Sequence, residues 1–373
     1  MIYLDYAATT PIESHVLERY MDVERAYFAN TMALHLLGEQ ANAFYENQKK
    51  QLLDLLGTKQ HDVIYVSNAT EANNLALLGY LKGKKGNFLY CPMEHSSLDE
   101  AIKMIKGKES LDYQDIEAIE LNVNEEGLID LKDVERKINK NTLLIVCQWV
   151  NNVVGMIEPI KELTRLAHTQ PRTKILVDIV QGIGKVKADF KLDDIDMMTF
   201  STHKIYGPKG VGCLIYKKNL SISPLLYGAK DQKGLKPGTF DPALVAATTE
   251  AMRFSLTNLN SHLDYVSHLN QEIREALKNH KGIEINSPVS ASPYILNISF
   301  PQHNGETIIH YLENKGIYVS TGSACNSHLK TPERVLKCMG KSDDIALSSI
   351  RISLAYLTTE DEILSLIEAI KNV

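Results

Sequence analysis

The segment Met197-Met198-Thr199-Phe200-Ser201-Thr202-His203-Lys204-Ile205-Tyr206-Gly207-Pro208-Lys209-Gly210, followed by the apolar run Val211 to Tyr216, reads as two strands joined by a polar turn. The same pattern extends toward the N-terminus. Val63 to Val66 is a short apolar run with a helical segment from Thr70 behind it. Asn87 to Cys91 reads as a strand, followed by a helix from about Ser96. Leu143 to Trp149 is a continuous apolar strand before a helix from about Pro159, and Ile175-Leu176-Val177 is another strand. Apolar strands alternating with helices predict an α/β fold with a largely parallel sheet buried on both faces. Ligands of such sheets bind beyond the carboxyl ends of the strands, so the polar residues there carry the functional question.

After Pro242 the pattern changes. A helical stretch from Ala243 to about Lys281 reads as a connector. A strand over Tyr294 to Phe300, a helix over Gly305 to Lys315, a strand over Gly316 to Ser320, a polar loop, a strand over Ser349 to Tyr356 and a helix from Thr359 predict a smaller α+β domain. With 373 residues, the chain exceeds one small core. The expected division is a large domain over 12–250 and a small one over 251–373, with residues 1–11 packing against the latter.

Composition narrows the function. The formal net charge of −6 leaves no basic footprint for direct nucleic-acid binding. No run of about 18 apolar residues is present to span a membrane. The start Met1-Ile2-Tyr3-Leu4-Asp5 lacks the basic and apolar regions of a signal peptide. Cys91, Cys147, Cys213, Cys325 and Cys338 are odd in number and scattered, which argues against a disulfide framework and for a cytoplasmic setting.

The strand ends offer a constellation. Lys204 follows a strand, beside His203 and before a Gly-Pro-Lys-Gly turn. A lysine that forms an imine needs a lowered pKa, which a desolvated strand end near other cations supplies. A surface lysine at a turn is the plain alternative. Asp178 ends the strand Lys174 to Val177, where a carboxylate can pair with the pyridinium nitrogen of pyridoxal 5'-phosphate (PLP); as a plain residue it caps a helix. Gln181 is placed to bond the cofactor's phenolic oxygen. Ala69-Thr70 open a helix, whose N–H groups bind phosphate, with Ser201 and His203 completing the cup. His95 can stack on a pyridine ring. Asn152 follows the strand ending at Trp149, and Arg351 is a lone cation in an apolar strand, either a carboxylate clamp or a structural ion pair. Cys325 sits in Ser320-Thr321-Gly322-Ser323-Ala324-Cys325-Asn326-Ser327, where small and polar neighbours suit a reactive thiol. Cys91 with His95 and Cys325 with His328 also have zinc-ligand spacing, a weak signal without a close Cys pair.

Taken together these residues resemble the cysteine desulfurases of the IscS/NifS type, PLP-dependent transferases of fold type I, along nearly the whole chain. The matching segments are Tyr3 to Pro11, Ala69 to Asn74, Glu94-His95, Val150 to Asn152, Val177-Asp178 with Gln181, His203 to Gly210, Gly238-Thr239, Gly322 to Cys325 and Ser348 to Ser353. The resemblance implies that Lys204 carries PLP as a Schiff base and that Asp178 and Gln181 hold its ring nitrogen and phenolic oxygen. It implies that His95 stacks on the ring and that Ala69, Thr70, Ser201 and His203 bind the phosphate. Thr239 would join them from the neighbouring subunit of a homodimer. Asn152 would touch both cofactor and substrate, and Arg351 would anchor the substrate. L-Cysteine would become L-alanine, with Lys204 or His95 taking the α-proton. The sulfur would stay as a persulfide on Cys325 for a sulfur-acceptor protein, an iron–sulfur scaffold or a tRNA-thiolation protein. No resident metal is implied. A selenocysteine lyase or another PLP lyase is the nearest alternative; a non-catalytic sulfur-relay subunit is the alternative of another class.

The chain departs from the family pattern at several points. Asn30-Thr31-Met32-Ala33-Leu34-His35 lacks the usual proline and serines, Ile179 replaces an alanine, and Lys236 stands where the family has arginine. An arginine that forks onto a carboxylate is not matched by lysine.

Overall fold

The computed structural model describes residues 1–322 and 331–373. The N-terminus forms β1 (Ile2–Tyr3) and continues into α1 (Ser14–Ala26) and α2 (Leu36–Leu55). The central sheet contains β2 (His61–Val66), β3 (Gly86–Tyr90), β4 (Ile116–Glu120), β5 (Thr142–Gln148), β6 (Lys174–Asp178), β7 (Met197–Ser201) and β8 (Gly212–Lys217). Their order is β2-β8-β7-β6-β5-β3-β4. Strands β3 to β7 are mutually parallel, and β8 runs antiparallel to both of its neighbours. The fold is therefore α/β with a mostly parallel sheet.

Side chains alternate between two cores, as the two-residue period of a strand requires. Val63, Leu89, Ile145, Val177 and Met198 enter one cluster. Ile64, Phe88, Leu144, Leu176 and Met197 enter the other. Helices α3 (Ala69–Leu81) and α4 (Ser96–Lys106) cover the second face. Further along lie α5 (Leu131–Lys137) and α6 (Ile160–Ala167), and α6 joins α2 on the first face. Burial on both sides explains why these strands read as continuous apolar runs.

The sequence pattern predicts one helix from Ala243 to about Lys281. The structure divides it at Asn258 into α7 (Pro242–Thr257) and α8 (Leu259–Leu277). The Asn258 amide donates to the Phe254 carbonyl and competes with helix propagation there. The two halves take different partners: α7 packs on α1 and α2, and α8 packs on the C-terminal helix.

The remaining elements are β9 (Glu284–Ile285), β10 (Ile295–Ser299), α9 (Gly305–Glu313), β11 (Ile317–Tyr318), α10 (Arg334–Cys338), α11 (Asp343–Leu347), β12 (Ser349–Ser353) and α12 (Glu360–Lys371). Strands β12, β10 and β9 form an antiparallel sheet. Strand β1 pairs in parallel with β11, which is shorter than the predicted Gly316 to Ser320. Ser353 N donates to Leu4 O at 2.7 Å. Leu4 and Ala7 thereby join a third core with Val266, Leu296, Ile350 and Leu366.

Candidate active site

Five strands of the central sheet deliver polar residues to one cavity at their carboxyl ends. Strand β2 leads to Asn68, Ala69 and Thr70; β3 leads to His95; β5 to Asn152; β6 ends at Asp178; and β7 leads to Ser201, His203 and Lys204. Gln148, Val180 and Gln181 line the same cavity, and Ala7, Ala8 and Arg351 approach from elsewhere in the fold. The open space among these residues, mouth and adjoining solvent included, is about 820 Å³.

The lysine turn is held tightly. After a short helical turn over Thr202–Lys204, Tyr206 adopts a φ of 65°. A tyrosine in the left-handed region is strained and needs outside support. That support comes from Thr10, whose hydroxyl accepts from Tyr206 N at 2.8 Å and donates to His203 O at 2.9 Å. A side chain at Gly207 would lie 2.2 Å from Thr202 Cγ2, so the turn tolerates only glycine there. Lys204 Nζ donates to the carbonyls of Ala7 and Ala8, at 2.6 and 2.5 Å.

The opposite side of the cavity carries a bonded chain. Asp178 Oδ1 accepts from Val180 N at 2.9 Å, and its Oδ2 accepts from Asn73 Nδ2 at 2.9 Å. The same amide nitrogen reaches Ser97 Oγ at 2.9 Å, and Ser97 Oγ lies 2.9 Å from His95 Nδ1. Asn73 and Ser97 are buried and were not singled out by sequence reasoning. Gln181 donates from Nε2 to Ala7 O at 2.9 Å and accepts at Oε1 from Lys185 Nζ at 2.7 Å. Burial, reinforced by Lys204 and Arg351, pushes the Lys185 ammonium down to about 7. The bond to Lys185 fixes which end of the Gln181 amide faces the cavity.

The residues fit a phosphate at the start of α3. Asn68 caps the helix by accepting from Glu71 N at 2.9 Å, leaving the amides of Ala69 and Thr70 at a helix start, where N–H groups lack intrahelical acceptors. Gly212 allows β8 to pass this close, because a Cβ there would lie 2.5 Å from Asn68 C. Ser201 Oγ is buried without a hydrogen-bond partner, an orphan that a phosphate oxygen would satisfy. His203 Nδ1 lies 3.1 Å from Thr9 Oγ1. Burial, with Lys204, Lys209 and Lys185 nearby, pushes its imidazole down to about 4. It faces the cup neutral at physiological pH, as a hydrogen-bonding group rather than a charge.

Arg351 stands on the other wall. Its Nη2 pairs with Asp5 Oδ1 at 2.8 Å and its Nη1 donates to Asn152 O at 2.9 Å. Its Nε is buried without a partner. The structural ion pair, one of the two sequence alternatives, is present, and the Nε atom is left without a partner. Glu94, next to His95, is fully buried; its Oε1 accepts from Gln148 N, and burial beside Asp178 drives its carboxyl well above the usual range.

Among the described residues, one expected site residue lies outside the cavity. Thr239 borders a separate hollow with Ser67, Gly210 and Lys236. Lys236 pairs with Glu71 Oε1 at 2.8 Å, while Ser67 occupies Oε2 through both its amide and its hydroxyl. With one oxygen already taken, a single-pronged lysine suffices where an arginine fork has no second acceptor. Cys325 and His328 lie outside the described residues. Among the described residues, no cluster of three metal-ligating side chains forms, and Cys91 is buried with its thiol driven up by burial.

The sequence matches the family described as aminotransferase class-V over residues 2–366. The cysteine desulfurase IscS of Buchnera aphidicola subsp. Baizongia pistaciae is 33% identical over 371 residues, covering 97% of this chain and 90% of that protein. A solved NifS-like protein superposes with a TM-score of 0.90 at 29% identity, covering 100% and 98% of the two chains. The structure of SspA in complex with cysteine superposes with a TM-score of 0.79 at 28% identity, covering 96% of this chain and 100% of that one.

Proposed function

The chain belongs to the class-V aminotransferase family, as a PLP-dependent cysteine desulfurase, and from that premise we propose how its residues divide the work. The observation that carries the reading is the convergence of Lys204, Asp178, His95 and the Thr70–Ser201–His203 cup on one cavity. PLP, when bound, supplies the electron sink for a carbanion next to the substrate's nitrogen. Lys204 anchors the cofactor and Asp178 holds its ring nitrogen, with Gln181 donating toward the phenolic oxygen. Ala69, Thr70, Ser201 and His203 receive the phosphate. Arg351 and Asn152 position the carboxylate of L-cysteine; the unpartnered Nε of Arg351 supports this.

The overall step balances without an added oxidant. The Cys325 thiolate attacks the substrate sulfur, an S–S bond forms and the C–S bond breaks. The bonding pair passes to the substrate carbon, which takes up a proton. L-Cysteine and a thiol thus become L-alanine and a persulfide on Cys325. The sulfur then passes to an acceptor protein, an iron–sulfur scaffold or a tRNA-thiolation protein. We propose further that the enzyme works as a cytoplasmic homodimer with Thr239 completing the neighbour's phosphate cup. Thr239 lies away from its own cavity, and Phe28, Met32, Leu34, Leu36 and Leu37 form an exposed apolar segment, which supports pairing with a second copy. Among the described residues, no helix is long and apolar enough to cross a membrane.

The test is direct. The purified protein reconstituted with PLP is expected to be yellow and to release alanine and sulfide from L-cysteine and a reductant. Cys325→Ala keeps the colour and loses sulfide release. Full activity in that variant overturns the persulfide role, and a wild-type protein that binds no PLP overturns the scheme.

A further inference from the structure

The hydrogen-bond chain behind His95 has a direction that chemistry imposes. Oδ2 of Asp178 is an acceptor, so the Asn73 group bonded to it at 2.9 Å is the amide nitrogen. Thr199 donates its hydroxyl to Asn73 Oδ1, which agrees with that orientation. The second hydrogen of the same amide goes to Ser97 Oγ at 2.9 Å. Having accepted, Ser97 keeps one hydroxyl hydrogen to give, and His95 Nδ1 lies 2.9 Å away. A second donor converges on the same nitrogen. His95 is the N-cap of α4, and the backbone N–H of Ser97 points at Nδ1 at 3.2 Å. That amide has no acceptor alternative. Nδ1 must therefore present its lone pair, and the ring hydrogen of the neutral imidazole belongs on Nε2.

We infer that Ser97, oriented by Asn73, holds His95 as the Nε2–H tautomer, so that the ring presents a hydrogen-bond donor to the cavity. The inference rests on the desulfurase reading for the reaction but on the bonded chain alone for the tautomer. The nitrogen His95 leaves to the cavity carries a hydrogen and has no lone pair with which to remove one. It donates a hydrogen bond. Asn73 and Ser97 are positioning residues in this scheme: they touch neither substrate nor cofactor and act through His95 and Asp178.

Long-range nitrogen–proton correlation spectra of histidine-labelled protein read the tautomer, with His95 assigned by the resonances that vanish in His95→Asn. The expected result at neutral pH, with PLP bound, is an unprotonated Nδ1 and a hydrogen on Nε2. A hydrogen on Nδ1 overturns the inference. Ser97→Ala should move the Nδ1 resonance toward that of an unbonded ring nitrogen, and Ser97→Thr should restore it; an unmoved resonance in Ser97→Ala removes Ser97 from the scheme. The spectra are read whether or not the protein turns over cysteine, so a wrong tautomer and a wrong reaction are separate results.

Discussion

On one wall of the cavity each side chain stands at or just beyond the carboxyl end of a strand, while on the other Arg351 sits in the middle of β12 and depends on Asp5, 346 positions away. The first wall is built from strand-to-helix turns of a single sheet, with local bonds such as Asn68 to Glu71 N and Asp178 to Val180 N. The second exists only because the N-terminal ribbon crosses to β11 and β12. The proposed cofactor wall is thus a property of one sheet, and the proposed substrate wall is a property of how remote segments pack. The ribbon also joins the two, since Ala7 and Ala8 accept from Lys204 and Thr10 braces the turn that carries it.

The largest effect is expected at the cofactor wall. Lys204→Ala should abolish the Schiff-base colour and lower cysteine turnover by at least about 10³-fold, measured by absorbance and alanine release. The folded stability of the cofactor-free chain should fall by about 1–3 kcal/mol, because the charge-assisted bonds to Ala7 and Ala8 are lost.

The substrate wall should respond differently. Asp5→Asn leaves the buried Arg351 guanidinium, 3% exposed, without its counter-charge. Breaking such a pair costs about 3 kcal/mol of stability, readable as a shift in denaturant midpoint. A bound amino-acid carboxylate should recover more stability in this variant than in wild type. Equal recovery in both would detach Arg351 from carboxylate binding.

A pH experiment probes the turn behind Asn152. Glu158 is buried, accepts from Ile129 N at 3.1 Å, and is pushed from 4.5 to about 8 by burial. The folded chain then holds a proton that the unfolded chain releases at lower pH. Stability therefore falls as pH rises from about 4.5 to 8. Glu158→Gln should flatten this slope and raise stability at pH 8 by about 2–4 kcal/mol, with little change at pH 4. A wild-type slope unchanged in the variant would place the titrating group elsewhere.

The smallest effect is expected outside both walls. Lys236→Ala removes a partly exposed ion pair to Glu71 and should cost about 0.2–1 kcal/mol in a chemical melt. Lys236→Arg should change stability still less, since Ser67 already occupies the second carboxylate oxygen.

The sheet was legible because its strands are buried on both faces and leave continuous apolar runs such as Thr142–Gln148. That Lys204, Asp178, His95 and Thr70 meet in one cavity was legible for a related reason: each stands at or beyond the carboxyl end of such a run. Helix α1 was not, because only Val16 and Val23 of its thirteen residues are buried and a mostly solvated helix shows little period. The edge strand β4 is likewise half exposed, with charged residues at both Glu117 and Glu120. The break at Asn258 leaves little trace in the sequence, because a single asparagine bonded to Phe254 O and a change of packing partner separate the two halves.

The amino-acid sequence alone determined the α/β sheet, the lysine at its strand end and the family resemblance, because burial patterns and colinear motifs are written along the chain. Only the tertiary structure decided that Asn73 and Ser97 orient His95, that Asp5 and Arg351 form a pair, and that Ala7 and Ala8 receive Lys204. A hydrogen bond's direction depends on which groups face each other across the fold. Partners 105 or 346 positions apart leave no local period or spacing from which that could be read.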